Sequence, residues 1–169
     1  MITLQQLLAS REARAAHQAQ LLREHPGQTL VCLTVIPPGN EKRTDWSVPV
    51  ALAGAEAVRR ALAPSREEVR DLETGYEAYF LVDGDPLEIK RTCCGLEDTH
   101  PWGRLMDIDI LKPSPGGAVP VSRSAVGLPE RRCLVCERPA RECMRNRSHS
   151  LEQLQERIKF IYHSGGTLC

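Results

Sequence analysis

Segments with helical periodicity alternate along this chain with short runs of apolar and β-branched residues, and this order constrains the fold more than any other feature. The pattern predicts helices over 4–24, 48–63, 85–98 and 151–162, and strands over 29–36, 77–82 and 104–111. Thr3 is expected to cap the first helix, with Gln6 completing a capping box. Helices interleaved with strands over one core indicate the α+β class, with a mixed sheet flanked by helices.

The length of 169 residues fits one domain. The composition nevertheless changes near residue 131, where cysteines and arginines become frequent. We therefore expect a catalytic core over 1–130 and a Cys/His-rich, helical C-terminal segment over 131–169 that packs on it within a single domain. The stretch 112–117 is rich in proline and glycine and is predicted to be a loop.

Charge and hydropathy exclude several classes of protein. Lysine and arginine total 22, as do aspartate and glutamate, so no net field attracts nucleic acid or an anionic membrane surface. Only seven residues are aromatic, which argues against a stacking platform for bases. The most apolar run, 30–36, is far shorter than the roughly 18–20 residues of a membrane span, and no apolar signal core is visible. We expect a cytoplasmic protein without nucleic-acid or membrane partners.

Two aspartates on one predicted strand are the strongest chemical signal. Asp107 and Asp109 are two residues apart, so their carboxylates project from the same face. Such a pair repels itself unless a cation lies between, and Mg²⁺ prefers oxygen ligands that substrate phosphates can complete. Metal-assisted phosphoryl or nucleotidyl transfer is the chemistry that this arrangement favours. The alternative is an exposed strand face with two solvated aspartates.

Neighbouring residues strengthen the first interpretation. Gly103 permits close backbone approach and Arg104 binds oxyanions through its guanidinium, so both are candidates to line a phosphate site. His100 is a candidate base, although a histidine before a proline is also an ordinary loop residue.

Three cysteines and one histidine form a second constellation, Cys133-x2-Cys136-x6-Cys143-x5-His149. Four ligands of this type suit a closed tetrahedral zinc site, which would be structural because no position stays open. Free buried thiols are the alternative. No thioredoxin-like context surrounds the C-x-x-C pair, which argues against a redox motif.

The arginines of the C-terminal segment allow a function of another class. They could form a solvated surface or dock an acidic protein. A non-catalytic, zinc-stabilised binding module that docks an acidic partner is therefore the alternative to an enzyme.

Several blocks together resemble the citrate lyase holo-acyl-carrier-protein synthases, the apo-citrate lyase phosphoribosyl-dephospho-CoA transferases. The blocks cover nearly the whole chain and lie at 7–14, 29–39, 97–109, 131–136 and 147–150; the third reads Glu97-Asp-Thr-His-Pro-Trp-Gly-Arg-Leu-Met-Asp-Ile-Asp109. The resemblance implies a transferase of nucleotidyltransferase type. It would move the 2'-(5''-phosphoribosyl)-3'-dephospho-CoA group from its triphosphate precursor to a serine of the citrate lyase acyl carrier subunit and release pyrophosphate.

The resemblance also implies roles for individual residues. Asp107 and Asp109 would hold Mg²⁺, Gly103 and Arg104 would line the triphosphate, and His100 would orient or deprotonate the serine. Five further residues become candidates to bind donor phosphates: Arg11, Arg14, Lys42, Lys90 and Arg91. Glu41 is inserted before Lys42 relative to the usual family loop. We expect a related but altered form of the nucleotidyltransferase fold, because the Gly-Ser turn of those enzymes is replaced by Gly103-Arg104, closer to the aspartates.

Overall fold

The computed structural model describes residues 2–165, which form one five-stranded sheet with helices on both faces. The strands are β1 (Thr29–Val35), β2 (Arg66–Leu72), β3 (Gly75–Val82), β4 (Asp107–Ser114) and β5 (Gly117–Pro120). The α-helices are α1 (Leu4–Glu24), α2 (Ser47–Leu62), α3 (Pro86–Thr99), α4 (Ala140–Asn146) and α5 (Leu151–Gly165). The strand order is β2-β3-β1-β4-β5.

The α+β class is confirmed, but the sheet is antiparallel throughout instead of mixed. The two connections that contain helices explain why no parallel pair forms. The α2 connection joins β1 to β2, and the α3 connection joins β3 to β4, so each links two strands that run in the same direction. An antiparallel strand lies between the members of each pair. Strands of like direction are therefore never neighbours.

One face of the sheet carries the main core. Fully buried side chains such as Leu33, Phe80 and Ile110 pack there against α2 and α3. The small residues of α2 allow a close approach: Ala51 is fully buried, and a Cβ at Gly54 would lie 3.0 Å from a Leu33 methyl carbon. Close packing of this helix is therefore built into its sequence.

The other face is covered by α1. Its C-terminal half buries Leu21 and Leu22 against strand residues that include Leu30 and Leu81. Its N-terminus has the predicted capping box, with Gln6 N donating to Thr3 Oγ1 at 3.2 Å and Thr3 N donating to Gln6 Oε1 at 2.9 Å. The helix thus places an apolar half over the apolar end of the sheet and a polar half over the polar end.

Three segments differ from the sequence-based expectation. The expected loop at 112–117 is a hairpin, with β4 continuing to Ser114 and β5 beginning at Gly117, whose φ of +118° suits glycine. Residues 103–105 form a 3-10 turn, so the strand with the aspartates begins at 107. Strand β2 was not predicted, because its residues are mostly charged and exposed.

No helix among residues 2–165 is long and apolar enough to cross a membrane. The last four residues of the predicted C-terminal segment, 166–169, lie outside the described residues.

Candidate active site and metal cluster

Asp107 and Asp109 project from the same face of β4, alternating with the buried Ile108 and Ile110. Both carboxylates are exposed. The surrounding protein still removes part of the water around the Asp109 carboxylate. This desolvation, together with the charge of Asp107, raises the pKa of Asp109 to about 6. The pair is therefore electrostatically unfavourable on its own, and a bound cation would relieve the repulsion.

The aspartates belong to two polar rows that cross the sheet. Thr34 of β1 pairs with Asp107 on one side and with Glu77 of β3 on the other. Cys32 likewise lies between Asp109 and Tyr79. Three acidic side chains thus occupy this end of the sheet, below the polar half of α1.

Helix α1 brings arginines to this acidic surface. Arg14 Nε lies 3.4 Å from Glu77 Oε1, and Gln18 Nε2 donates to Cys32 Sγ at 3.5 Å. Arg11 and Arg14 line a small cavity of about 30 Å³ together with Lys42. Burial and the charge of Arg11 lower the pKa of Lys42, whose Nζ donates to Pro37 O at 2.7 Å. The predicted Arg11, Arg14 and Lys42 therefore converge beside the polar rows.

The edge of β4 beside the aspartates has no neighbouring strand, because β5 pairs only from Leu111 onward. Two buried side chains of α3 replace that strand. Glu97 Oε1 accepts from Ile108 N at 2.9 Å, and Lys90 Nζ donates to Ile108 O at 3.4 Å. They satisfy the outward backbone groups of the residue between the two aspartates. This fixes the strand from which both carboxylates project.

Arg131 connects the aspartate strand to the C-terminal segment. Its guanidinium contacts Asp107 Oδ1 at 3.3 Å and Glu97 Oε1 at 3.2 Å, and donates to the backbone O of Met106 at 2.6 Å. Arg123 also pairs with Glu97, at 3.1 Å. Burial raises the pKa of Glu97, while Arg131 acts in the opposite direction. A buried carboxylate with two arginines thus lies behind Asp107.

The C-terminal segment brings together all four predicted cysteine and histidine ligands. The ligand atoms of Cys133, Cys136, Cys143 and His149 all lie within 4.8 Å of one another. Cys133 and Cys136 lie in a tight turn closed by Cys133 N donating to Arg138 O at 2.8 Å, Cys143 lies on α4, and His149 follows that helix. Cys136 Sγ is 3.4 Å from Cys143 Sγ. The hydrogen bond from the Arg138 backbone is the main cause that lowers the pKa of Cys136 to about 6.

The family model for apo-citrate lyase phosphoribosyl-dephospho-CoA transferase, CitX, matches residues 2–165. The chain belongs to the CitX family. It is 36% identical over 166 residues to the "Probable apo-citrate lyase phosphoribosyl-dephospho-CoA transferase" of Streptococcus pyogenes serotype M18, covering 96% of this chain and 86% of the relative. It is 33% identical over 167 residues to the Citrobacter koseri protein named apo-citrate lyase phosphoribosyl-dephospho-CoA transferase, covering 96% and 89%.

A longer relative shows the same match in another context. The chain is 35% identical to "Protein CitXG" of Haemophilus influenzae over 165 residues, which cover 95% of this chain and 35% of that protein.

Two residues predicted for the CitX site have local packing partners. His100 follows α3, and its Nδ1 accepts from Trp102 N at 3.0 Å, while burial lowers the pKa of His100. Gly103 is buried against the end of α3, where a Cβ would lie 2.4 Å from the backbone O of Glu97. Glycine at 103 is thus required for packing, whatever else it binds.

The remaining predicted residues of this CitX member lie in different places. Arg104 Nη2 donates to the backbone O of Arg132 at 2.7 Å and faces the C-terminal segment. Lys90 is buried under β4, as described above. Arg91 is exposed and pairs with Glu88 at 2.5 Å on α3. The structure therefore brings Arg11, Arg14 and Lys42 together, and separates Arg91 from that group.

Glu77 and the roles of Arg131 and Glu97 were not predicted from the sequence. Glu77 interrupts a strand that is buried throughout, Gly75–Val82, and a charged residue there is the signal that could have identified it. The contacts of Arg131 and Glu97 depend on how distant segments meet, so no local spacing marks them.

Proposed function

We propose that this protein transfers the phosphoribosyl-dephospho-CoA group from its triphosphate precursor to a serine of the citrate lyase acyl carrier subunit. The observation that carries the proposal is the exposed aspartate pair beside a group of cationic side chains, in a chain whose family model covers residues 2–165. The names of the relatives supply the substrate, and the residues support the type of reaction.

In this mechanism each group of residues has a separate task. Arg11, Arg14 and Lys42 bind the triphosphate of the donor and orient its α-phosphorus. Asp107 and Asp109 would hold Mg²⁺, and that ion would supply positive charge to offset the charge that develops on the departing pyrophosphate. The donor set fits this ion, since the charge of Asp107 raises the pKa of Asp109, so a shared cation would relieve the repulsion, and two carboxylates leave positions for phosphate oxygens.

We infer that the ion of the Cys/His cluster is zinc. Three sulfurs and one imidazole are the ligands that zinc prefers in closed structural sites. His149 Nε2 is buried without a hydrogen-bond partner among the described residues, which a metal bond would correct. Four protein ligands leave no position for substrate. The zinc would therefore hold the segment that carries Arg131 and take no part in the transfer.

Intact-mass analysis of the apo carrier subunit tests the proposal. The carrier is incubated with this protein, Mg²⁺ and the triphosphate donor, and a mass increase equal to the prosthetic group on one serine is expected. Omission of Mg²⁺ should abolish the increase, and Asp83→Asn, at the opposite end of β3, is the matched control variant. A zinc-replete, folded protein that adds no mass would overturn the proposed substrate.

A further inference from the structure

A second cavity, of about 440 Å³, lies between the Cys/His segment and α5. Five arginines line it: Arg104, Arg123, Arg131, Arg132 and Arg157. Residues 129–137 form much of the remaining wall, and three carboxylates also line the cavity: Asp98, Glu130 and Glu137. Arg131 lines it and also contacts Asp107 Oδ1 at 3.3 Å, although neither Asp107 nor Asp109 lines the cavity. We name it the arginine cavity.

Three of the five guanidinium groups are neutralised by carboxylates. Arg123 and Arg131 pair with Glu97, each at a distance near 3 Å, and Arg123 also contacts Asp98 at 2.7 Å. Arg132 pairs with Glu137 near the rim. The other two arginines of the cavity are Arg104 and Arg157.

Arg104 and Arg157 have no ion pair within residues 2–165. Arg104 Nη2 donates to the backbone O of Arg132 and of Cys133, at 2.7 and 3.1 Å. Arg157 Nε donates to Leu134 O at 3.1 Å, and its guanidinium lies 5.0 Å from the centre of the Phe160 ring. Carbonyl oxygens orient the two side chains but do not cancel their charge. Two arginines, Arg104 and Arg157, and one carboxylate, Glu130, thus line the cavity without an ion pair among residues 2–165, so a net positive charge remains in the concave site.

Arg104 also lies beside two other arginines of the cavity, Arg123 and Arg131. An anion in the cavity would offset the mutual repulsion of these three guanidinium groups. Guanidinium groups bind phosphate oxygens in a bidentate manner, which makes a phosphate-bearing ligand the best match.

We propose that the arginine cavity binds an organic diphosphate, the dephospho-CoA part of the donor. The identity of the ligand rests on the proposed function. The donor carries a triphosphate on its added ribosyl group and a separate diphosphate between adenosine and the pantetheine arm, so a second cationic site would match the second anionic group. The cavity beside α1, about 30 Å³, has room only for phosphate oxygens, whereas 440 Å³ lies within the range of roughly 300–1,000 Å³ that is usual for small-molecule sites. Each cavity is lined by one neighbour of Asp107: Thr34, its register partner on β1, lines the small cavity, and Arg131, its ion-pair partner, lines the arginine cavity.

Calorimetric titration of the zinc-replete protein with dephospho-CoA, without Mg²⁺ or carrier, tests the proposal. Arg157→Gln should weaken binding at least tenfold, because it removes an arginine of the cavity that has no ion pair among residues 2–165. The variant should fold normally, since Arg157 is exposed on α5. Arg104→Gln should weaken binding to the same extent, with circular dichroism and zinc content reporting its folding. Arg141→Gln, an exposed arginine of α4 that does not line the cavity, is the control and should bind as the original protein does.

A second titration, with inorganic triphosphate, separates the two cavities. Its binding should weaken in Arg11→Gln and stay unchanged in Arg157→Gln. The proposal is overturned if the original protein does not bind dephospho-CoA at millimolar concentration, or if Arg157→Gln binds it normally. It is also overturned if Arg157→Gln loses affinity only for the acidic carrier, since the cavity would then be a protein-docking site. Arg157-dependent binding by a protein that fails the mass assay would overturn the proposed function alone.

Discussion

The aspartate pair and the Cys/His cluster are both groups of potential metal ligands, but the fold treats them differently. The aspartate pair has only two carboxylates, and both are exposed. The charged side chains near it are Arg14 of α1, Lys90 of α3 and Arg131. The Cys/His cluster has four converging protein ligands, of which Cys133 and Cys143 are buried. An open, under-coordinated pair suits an ion that is shared with substrate, and a closed quartet suits an ion that holds the chain. Changes at the first should alter activity, and changes at the second should alter folding.

The largest expected effect is on transfer. Asp107→Asn and Asp109→Asn should each lower kcat about 1,000-fold, or about 4 kcal/mol, because either change removes a metal ligand and half of the negative charge. The thermal midpoint should not fall, since both side chains are exposed. Rates from the intact-mass assay and melting curves check this. Asp83→Asn should retain the original rate, and an active Asp107→Asn, Asp109→Asn double variant would remove the metal platform.

The second effect is on stability. Cys143→Ser should release the zinc and lower the free energy of unfolding by about 3 kcal/mol, which is about 10 °C in Tm for a chain of this size. Metal analysis and calorimetry measure both quantities. Met144→Ala changes the next residue of α4, which is 75% exposed, and should keep one zinc per chain. A Cys143→Ser protein that keeps both its Tm and its zinc content would show that the cluster is a set of free thiols.

The sequence predicted which candidate metal-binding side chains come together in both regions, because each group is encoded in local spacing. Asp107 and Asp109 share a face by the two-residue period of a strand, and the four cysteine and histidine ligands lie within seventeen residues, 133–149. What surrounds them was not predictable in this way. Glu77 reaches the aspartates' face only through the register of β3 on β1, and the sheet's antiparallel order depends on where the crossovers insert strands.

The third prediction concerns the contact between the two regions. Glu97 is 5% exposed and holds Ile108 N, Arg123 and Arg131 at once. Glu97→Gln keeps an oxygen that accepts from the backbone, but it places amide hydrogens against a guanidinium. The variant should lower the free energy of unfolding by about 2 kcal/mol. Denaturant unfolding measures the change.

Asp98→Asn is the matched control for this variant. Asp98 binds the same Arg123 at 2.7 Å, but its side chain is 47% exposed. Its loss should cost no more than about 0.5 kcal/mol, as is usual for exposed pairs. Equal costs for the two variants would mean that Glu97 does not join the regions more firmly than a surface ion pair does.

The smallest expected effect is the pH dependence of stability that the repulsion between Asp107 and Asp109 produces. The folded protein raises the pKa of Asp109 from 3.8 to about 6, so it favours the protonated carboxyl. The contribution of the protonated Asp109 carboxyl to the free energy of unfolding is fully present below about pH 4, and it is lost as the pH rises through 6. Asp109→Asn cannot ionise and escapes the loss. In magnesium-free buffer at pH 8 it should be about 1 kcal/mol more stable than the original protein, a small gain because the site is exposed.

Two measurements sharpen this last prediction. The advantage of Asp109→Asn should shrink as the pH falls from 8 to 4, because the native carboxyl becomes neutral over that interval. At pH 8, added Mg²⁺ should raise the Tm of the original protein and leave that of Asp109→Asn nearly unchanged, since ligand binding stabilises only the form that binds. If Mg²⁺ raises both Tm values equally, the ion binds elsewhere, and the repulsion between the aspartates is relieved by Arg131 and Lys90 alone.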